Sequence, residues 1–193
     1  MGHRRDLAIA IAGAEPVTVE GVFHRHVSER WRELSGSTSG GRWGPPGTFS
    51  VLYLGRPTGS VVVEAYRHLV DPLEGMTGDM VQPRRLLEIT VRVHEVLDLR
   101  DPATVEACGL AQDHLSSDVG DYEHCWSVAR AAHQLGLHGI LAPAATGLGD
   151  TLAVFEQHLT PAELPQVIAQ ERWDRLPADP RRLRLVRRSS EQS

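Results

Sequence analysis

The segment that most constrains the fold spans residues 40–55, GGRWGPPGTFSVLYLG. Its leading glycines permit backbone angles that other residues avoid, while Pro45 and Pro46 each fix a φ angle and remove a backbone donor. A helix or strand cannot continue through such a stretch, so it must form a rigid turn before the apolar run that follows. That turn carries Arg42, and a planar guanidinium on a rigid loop suits a phosphate or a carboxylate.

Composition and charge exclude several classes of protein. The chain has 193 residues, 41% of them hydrophobic, which suits one compact domain with its own core. No apolar run approaches the ~20 residues that cross a bilayer, and the apolar part of the N-terminal segment is too short for a signal peptide. We therefore expect a cytoplasmic protein that does not act on a membrane. The formal net charge of -5 disfavours direct binding to nucleic acid.

The residue types present narrow the chemistry further. All 20 Lys and Arg positions are arginine, which excludes a Schiff-base lysine and a P-loop lysine. Cys108 and Cys125 lie far apart without metal-ligand spacing, so we expect buried thiols rather than a disulfide. His24 and His26 share one face of a predicted strand, but zinc would need a third ligand of suitable geometry. We therefore expect no metal and no true cofactor.

The order of the predicted elements favours an α+β fold, a single small domain with a central mixed sheet. Alternating or β-branched residues predict strands over 17–25, 49–54, 85–99, 140–142 and 152–157. Helices are predicted over 61–70, 101–108 and 121–135, with Asp101 as an N-cap and Gly136 as a C-terminal stop. The chain then divides into an N-terminal arm (1–16), the domain (17–160), and a C-terminal helix with an arginine-rich tail (161–193).

Three side chains around the glycine-rich turn form a candidate site. Tyr53, in the strand that follows, offers a ring for stacking and a hydroxyl. Glu64 follows three valines at the start of a predicted helix, where a carboxylate is costly to bury without a partner. One carboxylate, one phosphate-binding arginine and one aromatic ring suit cleavage of a nicotinamide–ribose bond through an oxocarbenium-like transition state. Taken singly, each of these residue types more often has an ordinary role, Arg42 on the surface or in a salt bridge, Tyr53 in the core and Glu64 on the solvated face of its helix.

The same residues carry a resemblance to a known family. GGRWGPPG, with Tyr53 eleven residues after Arg42 and Glu64 eleven residues after Tyr53, resembles the RES domain. This family comprises toxins of bacterial toxin–antitoxin pairs. The resemblance spans residues 22–159, through FHRHV, DYEHCWSVARAAHQLGLHGILAPAA and LAVFEQHL.

The resemblance implies a fold similar to that of ADP-ribosyltransferase toxins, with a central cleft. It implies an enzyme that consumes NAD+ as its substrate by hydrolysis or phosphorolysis, with transfer of ADP-ribose to a protein as the alternative. Glu64 would be the catalytic carboxylate. Arg42 and Arg25 would grip phosphate, and Tyr53 would stack or donate a hydrogen bond. The implied partner is an Xre-like helix-turn-helix antitoxin that blocks the cleft, and a homo-oligomer within that complex is compatible with the family.

Three positions depart from the family pattern. Gly44 stands where asparagine is usual, and His26 stands where an aromatic hydroxyl is common. The family serine near the start of the late helix falls near Glu123, with Ser127 one turn on. Either Ser127 takes over its role, or Glu123 replaces it, or the role is lost. Tyr122, just before them, could line the cleft. If these departures silence the chemistry, the domain would only bind a nucleotide or an antitoxin.

Overall fold

Strands and helices alternate irregularly along the chain. The computed structural model describes residues 2–30, 33–116 and 122–182. Its strands are β1 (Val17–Ser28), β2 (Leu52–Arg56), β3 (Arg84–Asp98), β4 (Gly139–Pro143), β5 (Asp150–Val154) and β6 (Gln166–Trp173). Its α-helices are α1 (Gly2–Gly13), α2 (Thr58–Leu69), α3 (Pro102–Ala107), α4 (Gln112–Ser116) and α5 (Glu123–Gln134), with 3-10 turns at Glu156–His158 and Pro161–Glu163.

The six strands form one mixed sheet that closes on itself. The strand order is β1-β2-β5-β4-β3-β6, and a further pairing joins β1 to β3. β3 runs antiparallel to β1 and parallel to β4, whereas β5 runs antiparallel to both of its neighbours. The predicted α+β class with a mixed sheet is confirmed. The closure into a barrel-like ring of five strands was not predicted, because it depends on pairing between the distant strands β1 and β3.

Of the three apolar clusters among the described residues, two fill the ring and dock α1 and α5 on it, and the third packs α2 against β3. The first draws side chains from all five ring strands, and Phe23, Ile89 and Leu152 are fully buried within it. The second packs α1 and α5 against the sheet, and it includes Leu7 and Ile11. Burying one such side chain contributes about 1.5–3 kcal/mol. The helix of the N-terminal arm is therefore docked on the domain.

The capping residues predicted at two helix ends are found in the structure. The Asp101 side chain accepts hydrogen bonds from the backbone N–H groups of Ala103 and Thr104 at the start of α3. Gly136 has φ of 81° just after α5, a left-handed conformation that glycine adopts at little cost. Both helix boundaries thus follow from capping chemistry.

Several predicted boundaries shift. The strand expected over 49–54 is β2, which starts at Leu52 because Val51 forms only an isolated bridge to Ser37. The strand expected to reach residue 157 ends at Val154, and a 3-10 turn follows. α5 begins at Glu123, and the predicted helix start at residue 121 lies outside the described residues. Element ends are the least constrained part of a sequence pattern, because terminal turns fray and tighten.

The segment after residue 160 contains a strand that the sequence analysis did not predict. The short helix expected there is a single 3-10 turn, Pro161–Glu163. β6 then pairs antiparallel with β3 between Arg84 and Thr90. Every residue of β6 except Trp173 is exposed, so this strand lacks the apolar alternation that reveals a half-buried strand. The arginine-rich end, 183–193, lies outside the described residues.

The two cysteines lie inside the protein, as predicted. Cys108 and Cys125 are both buried in the cluster that packs α1 and α5 on the sheet. Burial raises the pKa of the Cys108 thiol to about 11, so this group remains protonated at neutral pH. None of the helices in the described ranges is long and apolar enough to cross a membrane.

Candidate active site

A cleft of about 610 Å³ lies between β1, β2, α2 and the glycine-rich loop, a volume typical of small-molecule sites. Six of the eight residues singled out from the sequence line it: Arg25, His26, Arg42, Tyr53, Glu64 and Tyr122. Glu123 and Ser127 are not among the lining residues. The Ser127 hydroxyl donates to the backbone carbonyl oxygen of Glu123 at 3.0 Å. Its hydrogen is therefore used in a bond within α5.

The glycine-rich loop rests directly on Tyr53. A Cβ added at Gly41 would lie 2.7 Å from the Tyr53 hydroxyl oxygen, and a Cβ at Gly44 would lie 3.1 Å from it. The same oxygen accepts a hydrogen bond from the Trp43 backbone N–H at 2.9 Å. Glycine at positions 41 and 44 therefore permits a close approach that a larger side chain would obstruct. Burial raises the pKa of Tyr53, although the bond from Trp43 acts against this shift, so the phenol is neutral.

Helix α5 holds the loop from the other side. The Trp126 indole N–H donates to the Gly41 carbonyl oxygen at 2.8 Å. The rings of Trp126 and Tyr122 meet edge to face, with centroids 6.3 Å apart. The backbone of the loop is thus fixed at both of its faces, which pre-organises the arginine that it carries.

Arg42 lies over the ring of Tyr122. Its guanidinium carbon is 4.8 Å from the ring centroid, a cation–π distance. Its Nη1 donates to the backbone carbonyl oxygen of His114 in α4. A guanidinium carries five N–H donors in a planar fork that matches phosphate oxygens. Arg42 is therefore oriented by its neighbours toward the same cleft as Arg25.

Arg25 brings a second guanidinium to the cleft from β1. Its Nη1 is buried and has no hydrogen-bond partner among the described residues. Burial lowers the pKa of Arg25, and the negative charge of Glu156 opposes this effect. A buried donor without a partner costs about 1–3 kcal/mol, a cost that an anion bound in the cleft would relieve.

Glu64 faces the cleft from α2 and shares a hydrogen bond with His68. The Glu64 Oε1 and His68 Nε2 atoms are 2.7 Å apart, and both side chains are about half exposed. Burial alone would raise the pKa of Glu64, but the hydrogen bond and charge of His68, aided by Arg67, hold it below its ordinary value. The hydrogen bond to Glu64 in turn raises the pKa of His68. Glu64 is therefore an ionised carboxylate at neutral pH.

Two residues that the sequence analysis did not select support the site. His68 lies four residues after Glu64 on α2, a spacing that puts both on one helix face and could have revealed the pair. Arg84 of β3 donates to the Nδ1 atom of His26. No local signal could have found Arg84, because this contact depends on how β1 and β3 pair.

The histidines of β1 do not belong to a metal site in the part of the chain that the structure describes. No group of three His, Cys, Asp or Glu side chains there has a metal-binding arrangement. His124 of α5 stacks on His114 with ring centroids 4.1 Å apart.

The comparison with known proteins agrees with this architecture. A sequence profile of the RES domain matches residues 18–179. The chain belongs to the RES domain family. The resemblance noted from the motif is thereby confirmed, and the matched residues of this RES domain include β6.

Two relatives are similar over most of this RES domain. The protein named NAD(+) phosphorylase MbcT from Mycobacterium bovis is 32% identical over 151 residues, which cover 73% of this chain and 76% of the relative. MbcT from Mycobacterium tuberculosis shows the same identity and coverage. A chain in the crystal structure of the M. tuberculosis MbcT–MbcA toxin–antitoxin complex superposes with a TM-score of 0.76 at 29% identity. The match covers 87% of this chain and 92% of that chain.

Proposed function

We propose that this RES domain is an NAD+ phosphorylase and the toxin of a toxin–antitoxin pair. The observation that carries the proposal is the cleft, in which Arg25 and Arg42 supply positive charge and Glu64 supplies an ionised carboxylate. A relative at 32% identity is named for the same activity.

The two arginines suit the pyrophosphate of a dinucleotide. Arg25 brings a buried donor that has no partner among the residues the structure describes, and Arg42 is oriented by Tyr122 and His114. Together they match a ligand with two adjacent anionic groups, because each guanidinium can form paired hydrogen bonds to one phosphate. We infer that they hold the pyrophosphate and direct the nicotinamide end toward α2.

Glu64 is the catalytic carboxylate in this account. The bond between ribose C1″ and the nicotinamide nitrogen breaks, and its electron pair leaves with nicotinamide, which becomes neutral. Positive charge then develops on the ribose, and the Glu64 carboxylate stabilises it. An oxygen of inorganic phosphate forms the new bond to C1″ and yields ADP-ribose-1″-phosphate. Tyr53 and Tyr122 provide aromatic faces for the rings of the substrate, and His26 provides a hydrogen bond.

Glu123 and Ser127 receive no role in this mechanism. Neither side chain lines the cleft, and the Ser127 hydroxyl is bonded to the helix backbone. We therefore assign the chemistry to residues of β1, β2, α2 and the glycine-rich loop.

The test is NAD+ consumption by the purified protein, with and without inorganic phosphate, followed by identification of the products. We expect nicotinamide and ADP-ribose-1″-phosphate when phosphate is present. Free ADP-ribose in both buffers would instead establish a hydrolase. Intact NAD+ in both buffers, from folded protein without a bound partner, would reject the proposal in favour of a protein-directed transferase or a silent binding module.

We further propose an Xre-like helix-turn-helix antitoxin as the partner. The supporting observation is the superposition on a chain from a toxin–antitoxin complex. Expression of this chain alone should arrest growth through loss of cytoplasmic NAD+, and co-expression of a neighbouring helix-turn-helix gene should restore it. Light scattering of the co-purified complex would test whether this chain also forms a homo-oligomer within it.

A further inference from the structure

His26 lies next to Arg25 on β1, lines the cleft and contacts a second arginine. Its Nδ1 receives the Arg84 Nη2 donor at 3.0 Å and the Arg84 Nε donor at 3.3 Å. The pairing of β1 with β3 puts His26 opposite Leu86, two residues from Arg84. The two side chains therefore meet diagonally across neighbouring strands on one face of the sheet.

This contact determines which ring nitrogen carries the proton. A guanidinium has only donors and stays protonated in proteins, so the Nδ1 atom of His26 must accept with its lone pair. The hydrogen of the neutral imidazole then lies on Nε2. Protonation of Nδ1 would bring two donors and two positive charges within hydrogen-bond distance.

The other charged groups around His26 largely favour the same neutral state. Burial lowers the pKa of His26 most, and the charge of Arg84 on β3 adds to it. His68 on α2 and Arg25 on β1 act in the same direction, whereas Glu64 on α2 opposes them. The resulting pKa is about 3, so the ring does not take up a proton near neutral pH.

We propose that Arg84 is a positioning residue that holds His26 as a neutral imidazole with its proton on Nε2. β1 thereby offers the cleft two different donors side by side, the cationic Arg25 and the uncharged Nε2–H of His26. The Nε2 atom has no hydrogen-bond partner among the described residues. An uncharged donor suits an uncharged oxygen of the ligand, such as a ribose hydroxyl or a carboxamide carbonyl, beside the phosphate held by the arginine. The identity of the ligand as NAD+ rests on the proposed function, but the tautomer of His26 does not.

The tautomer can be measured without any turnover. Long-range proton–nitrogen correlation spectra of the intact protein, labelled with nitrogen-15 histidine, report which ring nitrogen is protonated. His26→Gln identifies the His26 signals by their disappearance. We expect an Nε2–H tautomer that does not titrate between about pH 5 and 8. In Arg84→Met the fixed tautomer should be lost and the ring should titrate at higher pH. A protonated Nδ1 in the wild-type protein would overturn the proposal.

Steady-state kinetics tests whether the Nε2–H donor of His26 contributes to substrate binding. Arg84→Met should raise the KM for NAD+ roughly 3- to 10-fold, the effect of one neutral hydrogen bond, with a smaller change in kcat. Arg84→Lys keeps a cationic donor and should recover part of the loss. Arg85→Met is the matched control, since its side chain points to the opposite face of β3 and contacts Gln170; it should leave KM unchanged.

The two measurements separate the possible failures. An altered tautomer in Arg84→Met with an unchanged KM would overturn the role of His26 in substrate binding. A wild-type protein that shows the Nε2–H tautomer but does not consume NAD+ would reject the proposed function and leave the role of Arg84 intact.

Discussion

Arg25 and Glu163 are both largely buried charged side chains, and they differ in what the protein provides for them. The Glu163 carboxylate accepts four hydrogen bonds, from the backbone N–H groups of His94 and Thr160, the Thr160 hydroxyl and the His138 imidazole. Arg25 instead has a buried Nη1 without a partner in the described part of the chain. A charge that the fold satisfies is structural, whereas a charge left unsatisfied in a cleft indicates a ligand.

The same difference appears in the positions of the two residues. Glu163 lies in a 3-10 turn and links that turn to β3 and to His138, just before β4. It is not among the residues that line the cleft. Arg25 lies on β1 beside His26 and lines the cleft. Removing the Glu163 carboxylate should therefore destabilise the fold, whereas removing the Arg25 guanidinium should weaken substrate binding.

The largest effect on stability is expected at Glu163. Glu163→Gln replaces a carboxylate oxygen by an amide donor among groups that already donate, and should lower the free energy of unfolding by about 3 kcal/mol. Urea denaturation measures this. The KM for NAD+ should not change, and a change in KM without loss of stability would contradict the structural role.

The acid stability of the protein should depend on the same carboxylate. Burial would raise the pKa of Glu163, but its hydrogen bonds lower it to about 2 from the ordinary value of 4.5. A depressed pKa means that the stabilisation is complete above about pH 4.5 and is lost as the pH falls toward 2. In Glu163→Gln, the free energy of unfolding should therefore depend less on pH between about pH 4.5 and 2. An unchanged pH dependence in this range would show that Glu163 is not the carboxylate responsible.

Arg25 should show the opposite behaviour. Arg25→Met removes a buried donor that the described part of the chain leaves without a partner, so the free energy of unfolding should stay the same or rise by about 1 kcal/mol. The loss of a charged hydrogen bond to phosphate should raise the KM for NAD+ roughly 30-fold. Thermal denaturation and steady-state kinetics of the same protein samples measure both effects. If Arg25→Met destabilised the fold as strongly as Glu163→Gln, the contrast between the two residues would be wrong.

A smaller effect is expected from the loop that carries Arg42. In Gly41→Ala, the new Cβ would lie 2.7 Å from the Tyr53 hydroxyl oxygen, so the loop must shift and turnover should fall about 10-fold. Gly13→Ala is the matched control, because a Cβ at Gly13 meets nothing within 4 Å. Equal activity in the two variants would show that the exact position of the loop is unimportant.

The smallest effect is expected at His68 and is best seen in a pH profile. His68 holds the pKa of Glu64 down against burial, so His68→Gln should let that pKa rise. The acid limb of the kcat/KM profile should then move to higher pH, while activity near neutral pH changes only a few-fold. An unmoved acid limb would mean that Glu64 does not control it.

The comparison also explains which parts of the site could be predicted from sequence. Arg42, Tyr53 and Glu64 could be selected as candidates because a short motif with fixed spacing carries them, and the N-cap Asp101 could be predicted because capping is local. β6 has no apolar alternation, and the Arg84–His26 contact joins residues that are distant in the chain. These features arise from strand pairing, which local patterns do not encode. That the Nη1 atom of Arg25 meets no partner in the described ranges likewise becomes visible only in the folded structure.

The central claim is that an ionised Glu64 in this cleft drives cleavage of the nicotinamide–ribose bond. Its most direct test is the rate of nicotinamide release from NAD+ in phosphate buffer by the wild-type protein and by Glu64→Gln, with Glu74→Gln as an exposed control outside the cleft. We expect Glu64→Gln to lose roughly 100- to 1,000-fold in kcat while keeping the wild-type unfolding curve. Glu74→Gln should match the wild type. Undiminished release by a folded Glu64→Gln protein would contradict the account.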